Sequence, residues 1–293
     1  MKIPEQNEAH YLRPLLALFA FLLLATLLHG QSPSTVNDPD LARPAQSQES
    51  MDILSAICGK DAQSKPGKKG PIYGCRVCPK FTSEAGQGTN DSFPALQIYH
   101  VLPGSFTRPG AVETVVEVNG CEAHVNNFGG TVLLEKVGPR WKFKRYVPGE
   151  IGLNRAYKLK QGRTLALYQG GWTGQGETVV WLGTYDFASP VAHAWQKLIT
   201  LHDSTANACS ATTVTSSGID SLKLEDLDHD GVLDLRVFVH WGNVKVPKAF
   251  QGNCDKDFTP GKVPVREIDF LFDGKQFHVA PASRKEFKLV SQE

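Results

Sequence analysis

Apolar residues in the later two thirds of the chain recur at every second position. In "VLDLRVFVHW", Leu233, Leu235, Val237, Val239 and Trp241 fall on one face, and Asp234, Arg236, Phe238 and His240 on the other. That period predicts a half-buried strand. "FLFDGKQFHV" places Asp273-Gly274 between two such runs, and "LLEKVGPRWKFKRYV" does the same around Gly138-Pro139. Both predict hairpins. "VAHAWQKLITL" fits helix or strand, and no long amphipathic helix stands out. The pattern predicts an all-β body over residues 94–293. Before it come a short helix in "MDILSAICG" and a basic loop, "KDAQSKPGKKG".

Three segments share one frame: "FTRPGAVETVVEV" from Phe106, "WTGQGETVVWL" from Trp172 and "LDHDGVLDLRVFV" from Leu227. Each has an apolar residue, a Gly four places on, then an acid opening a β-branched strand. The acids are Glu113, Glu177 and Asp234, and the second copy is two residues shorter between Gly and acid. The starts lie 66 and 55 residues apart, which suits four-stranded units of a repeat architecture. The rival reading is a chance similarity among strand–turn–strand units.

The third copy carries distinctive chemistry. Asp226, Asp228, Asp230, Gly231 and Asp234 crowd into nine residues. A hard cation such as calcium takes six to eight oxygens, and a glycine at the sixth position permits the sharp bend. Carboxylates of Asp226, Asp228, Asp230 and Asp234, with the Val232 carbonyl, form the expected calcium shell. The bland alternative is a polar turn. An EF-hand is excluded because position twelve is Val237 rather than Glu and the flanks have strand periodicity. His229 lies between ligand positions and is expected to face solvent.

The frame Asp226-Leu227-Asp228-His229-Asp230-Gly231-Val232-Leu233-Asp234, with its following strand, resembles the calcium loop D-x-D-x-D-G-x-x-D of FG-GAP repeats in integrin-type β-propellers. The resemblance covers roughly residues 95–293, and only this loop matches in full. It implies a small or irregular propeller-like assembly of antiparallel units. A β-sandwich is the alternative.

The N-terminus changes the compartment. Lys2 and Arg13 precede an apolar run from Leu15 to Leu28. That run is too short for a membrane span, which takes about 20 residues, and suits a secretory signal over residues 1–30. The alternative is a retained membrane anchor. Residues 31–50, rich in Pro, Ser and polar side chains, read as a flexible linker, and residues 51–93 as a disulfide-containing segment. All six cysteines follow the apolar run, so an oxidising compartment, periplasmic or extracellular, predicts three disulfides. Proximity suggests Cys58 with Cys75 or Cys78, the remaining one with Cys121, and Cys209 with Cys254. Cys75-x-x-Cys78 lacks the helix start of a redox pair and the second ligand pair of a zinc site. Asn90-Asp91-Ser92 is a glycosylation sequon.

A net charge of +1 gives no general reason to bind nucleic acid or an anionic membrane. No G-x-S-x-G, H-E-x-x-H or phosphate-loop frame occurs. Two functions therefore stand. One is an exported, non-enzymatic binding or structural protein on a calcium-stabilised β-scaffold, with a protein or glycan as partner. The other is a secreted hydrolase using carboxylates such as Glu113, Glu177 or Asp234.

Overall fold

The computed structural model describes residues 38, 40–68, 70–87, 94–126, 128–254 and 258–291. The expected signal segment and the sequon Asn90–Ser92 lie outside the described residues. From Asp40 onward the chain forms one compact unit, built on antiparallel sheets as the alternating pattern predicts.

The first sheet has six strands in sequence order: β1 (Ala62–Lys65), β2 (Ile72–Cys75), β3 (Leu96–Gly104), β4 (Glu113–Gly120), β5 (Gly129–Val137) and β6 (Arg140–Pro148). The second is β7 (Leu153–Lys158), β8 (Thr164–Gly174), β9 (Glu177–Tyr185) and β10 (Trp195–Asp203). The third is β11 (Thr213–Glu225), β12 (Asp234–Lys245), β13 (Val265–Phe272) and β14 (Phe277–Val279). Both expected hairpins form, with Val137 opposite Arg140 and Phe272 opposite Phe277. The ambiguous "VAHAWQKLITL" divides into one helical turn, Val191–Ala194, and strand β10.

Each pair of neighbouring layers shares a core. Strand β4 is buried on both faces, which its unbroken "ETVVEV" reflects. Val116 and Val118 pack under helix α1 (Ser47–Cys58), while Val115 joins Tyr168 and Tyr185 of the second sheet. On β12, Leu235, Val237 and Val239 turn inward as the alternation predicts and share a core with Tyr157, Leu165 and Leu167 of the second sheet. Leu233, expected on that face, precedes the strand and is exposed. A short helix α2 (Arg284–Ser291) closes the chain and buries Val290.

Two expected boundaries do not hold. Within the stretch read as a flexible linker, residues 40–50 are bound into the fold. Their main chain inserts between β7 and β3, with Ala42 N–H to Asn154 at 2.8 Å and Val101 N–H to Arg43 at 2.7 Å. Arg43 then forks onto Glu49 at 2.8 and 3.0 Å, and Glu49 caps the Gln46 N–H at the start of α1. Local composition could not report the unpaired strand edges, more than fifty residues away in sequence, that recruit this segment. Likewise, the boundary expected at residue 94 falls inside the first sheet, because β2 pairs with β3.

Three disulfides staple the fold: Cys58–Cys75, Cys78–Cys121 and Cys209–Cys254. No cysteine is free, so Cys75 and Cys78 are neither a redox pair nor zinc ligands. The bridges indicate an oxidising, exported compartment. Among the described residues no helix is long and apolar enough to cross a membrane.

Candidate metal centre

The loop 226–233 joins β11 to β12, with Glu225 opposite Asp234 at the mouth of the pair. His229 and Gly231 both take left-handed backbone, at φ 62° and 77°, and these two reversals fold the loop back on itself. His229 is exposed, as expected.

The acids do not play equal parts. Asp226, Asp228 and Asp234 each offer an oxygen within 4.8 Å of the others. Asp230 does not belong to that trio. Its Oδ1 accepts the Val232 N–H at 2.7 Å. Asp228 Oδ1 accepts the Asp230 N–H at 3.3 Å. Asp234 is only 1% exposed. Its Oδ2 takes the Leu227 N–H at 2.9 Å and its Oδ1 the Phe272 N–H at 2.8 Å, so it ties the loop's head to the end of β13.

Asp226 is the unusual member. Its Oδ2 accepts the Gly231 N–H at 3.0 Å, but its Oδ1 is enclosed and has no partner. An enclosed carboxylate oxygen without a donor costs free energy and calls for a reason. The donors around it are hard oxygens, which suit calcium or magnesium rather than zinc or copper.

The second sheet supplies contacts that no local pattern announced. Lys160 Nζ donates to the Asp230 carbonyl at 3.1 Å, and the Tyr157 hydroxyl donates to the Leu233 carbonyl. Burial, then the negative charge of Asp234 and Asp230, pushes the Tyr157 phenol well above its ordinary pKa. It therefore stays a donor at neutral pH. Both residues lie about seventy positions upstream, and only packing brings them here.

The other acids of the shared frame do different work. Glu113 is buried, and its carboxylate takes the Thr107 N–H at 2.8 Å and the Thr107 hydroxyl at 2.5 Å. This is the same device as Asp234, an acid opening a strand and folding back onto its own loop. Glu177 is exposed and follows a tight Gln175-Gly176 turn. The middle copy is also out of phase. Its acid opens the third strand of its sheet, whereas Glu113 and Asp234 follow the loops β3–β4 and β11–β12 and are each followed by two more strands. Among the described residues the three acids do not form a cluster.

Glu150, in the β6–β7 connection, is a titrating acid the sequence did not single out. Burial alone raises its pKa to about 7. Between pH 5 and 7 the folded protein keeps a proton that the unfolded chain releases, so stability falls as pH rises through that window. The loss is expected to reach about 3 kcal/mol at most by pH 8. Urea titrations at pH 5 and pH 8 should show it in the wild type and not in Glu150→Gln. Equal slopes for the two proteins would refute the assignment.

The fold and loop thus define a disulfide-stapled, antiparallel all-β protein with an acidic loop. No protein family, curated protein or solved structure matched the chain.

Proposed function

We propose that the protein is an exported, non-enzymatic binding or structural protein whose β-scaffold is locked by one calcium ion. The observation that carries this reading is the enclosed, partnerless Oδ1 of Asp226 beside Asp228 and Asp234. Those three carboxylates would hold the ion, with Asp230 and the Val232 carbonyl completing the shell from the same loop. The ion would offset the mutual repulsion of the acids and fix the β11–β12 connection. The scaffold itself we read as an irregular propeller-like set of antiparallel units, which three successive meanders support and the shifted middle hairpin makes irregular. Signal cleavage near Gln31 and residence in the periplasm or outside the cell belong to the same proposal, supported by the three bridges.

The hydrolase reading is weaker because Glu113 spends its oxygens on the Thr107 N–H and hydroxyl and Asp234 on the Leu227 and Phe272 N–H groups, at separate places in the fold. Calcium provides the test. Extracellular modules bind it at about 10⁻⁴–10⁻³ M, and a tenfold excess over Kd adds about 1.4 kcal/mol. The melting temperature should rise by a few degrees in millimolar calcium relative to chelator. Asp228→Ala should abolish that rise and leave the chelated protein's melting unchanged. Identical wild-type melting in calcium and in chelator would sink the proposal.

A further inference from the structure

A second feature lies on the second sheet, away from the acidic loop's own strands. A depression of about 290 Å³ is lined by Gly149, Glu150, Trp181, Trp195, Lys197 and Thr200. Its floor follows from strand geometry. Alternation on β9 puts Trp181, Gly183 and Tyr185 on one face. Trp181 stands opposite Gly170 on β8, and Trp195 starts β10 opposite Tyr185.

Both indoles are laid across glycines. A β-carbon at Gly170 would lie 2.6–2.9 Å from Trp181 Cζ2, Cε2 and Nε1. One at Gly183 would lie 2.5 and 2.6 Å from Trp195 Cζ2 and Cη2. A glycine inside a strand weakens it and often marks close approach of another group. Here two such positions clear room for two aromatic plates. Tyr168 braces Trp195 edge-on, with centroids 5.9 Å apart.

The polar groups are aimed as deliberately. A β-bulge between Lys197 and Ile199 shifts the register of β10. Lys197 therefore faces Gly183 and Thr200 faces Trp181, on the same side of the sheet despite their odd spacing. Bulges commonly re-aim a side chain in this way beside functional sites. Thr200 Oγ1 is enclosed and has no partner. Glu150 enters from a connection whose backbone is fixed. Glu117 accepts the Gly152 and Leu153 N–H groups at 3.1 and 3.2 Å, Gly149 N–H reaches Gly129 at 2.8 Å, and the Thr131 hydroxyl holds the Glu150 carbonyl. A pre-fixed rim reduces the ordering cost of binding.

We propose that this depression is a glycan subsite, in which Trp181 and Trp195 stack on the C–H face of one pyranose ring while Glu150, Thr200 and Lys197 bond its hydroxyls. The occupant must be flat and apolar on one face and rich in hydroxyls at its rim, because the site offers two aromatic plates, an acceptor, an ammonium donor and an unused hydroxyl. The volume lies just below the usual range for ligand pockets, about 300–1,000 Å³, which suits a single ring of a longer chain. The ammonium of Lys197 disfavours a cationic ligand between the same indoles. Among the described lining residues Glu150 is the only acid, whereas glycoside hydrolysis ordinarily uses two carboxyls. The subsite is therefore one of binding without cleavage, and it rests on reading the chain as a binding protein.

The disulfide-intact chain should be applied to an array of glucose, galactose, mannose and N-acetylglucosamine oligosaccharides, and any bound sugar titrated by tryptophan fluorescence. Wild type should bind at least one. Trp181→Ala should weaken that binding about tenfold or more, Glu150→Gln should weaken it measurably, and Trp181→Phe should retain part of it. Trp172→Ala, an exposed tryptophan that does not line the depression, should bind like wild type. If Trp181→Ala misfolds by circular dichroism, Glu150→Gln and Lys197→Ala carry the test. No binding by wild type, or undiminished binding in the pocket variants, overturns the subsite and leaves the binding-protein reading standing. Mass spectrometry of the recovered sugar separates the two claims. Cleavage that Glu150→Gln abolishes would overturn both the subsite as one of binding without cleavage and the non-enzymatic reading.

Discussion

Asp234→Ala is expected to destabilise the folded protein by about 3 kcal/mol in chelator, and by more when calcium is present. The carboxylate is almost fully buried and holds two backbone donors, Leu227 N–H and Phe272 N–H. The first closes the acidic loop, and the second ties that loop to β13. A buried donor left without its acceptor costs about 1–3 kcal/mol, and two are orphaned here. Asp228, exposed and bonded only to a neighbouring loop N–H, should cost well under 1 kcal/mol in chelator, as surface positions generally do. Urea denaturation of both variants in chelator decides the matter. A loss on Asp234→Ala that appears only with calcium would mean that this carboxylate is a ligand first and a structural tie second.

Removing the Cys78–Cys121 bridge should cost slightly more. The bridge closes a loop of 43 residues, for which the chain-entropy account gives about 4 kcal/mol. Both sulfurs are buried, Cys78 and Cys121 being 6% and 4% exposed. The bridge pins the turn after β2 to the end of β4, and Ser83 N–H bonds Glu122 at 3.0 Å beside it. Cys78→Ser with Cys121→Ser should therefore loosen the six-stranded sheet first, near β1 and β2. Hydrogen exchange should show early loss of protection there, with β12 and β13 protected until global unfolding. Uniform loss across all three sheets would show instead that the bridge stabilises the whole unit cooperatively.

The sequence by itself determined the β-rich character of the chain after residue 94, because alternation is a local property read every two residues, but it missed β1, which lies inside the stretch read as a basic loop. "DLRVFV" and the turns at Gly138-Pro139 and Asp273-Gly274 lie where the pattern put them. It also pointed to oxidised cysteines and to Cys209–Cys254, but left Cys58 open between Cys75 and Cys78, a choice the fold made in favour of Cys75. It placed Asp226, Asp228 and Asp234 together, because a nine-residue loop between paired strands has nowhere else to send them. Tertiary structure decided the rest. It set Asp230 apart, left Asp226 Oδ1 without a donor, and turned Asp234 into a tie to β13. It drew residues 40–43 out of the expected linker into the gap between two strand edges. It gathered Glu150, Trp181, Trp195 and Thr200 from three segments into one depression. Each of these depends on which distant backbone donor, strand edge or indole arrives opposite a given residue. Periodicity carries no record of such pairings, because only packing the sheets against one another creates them.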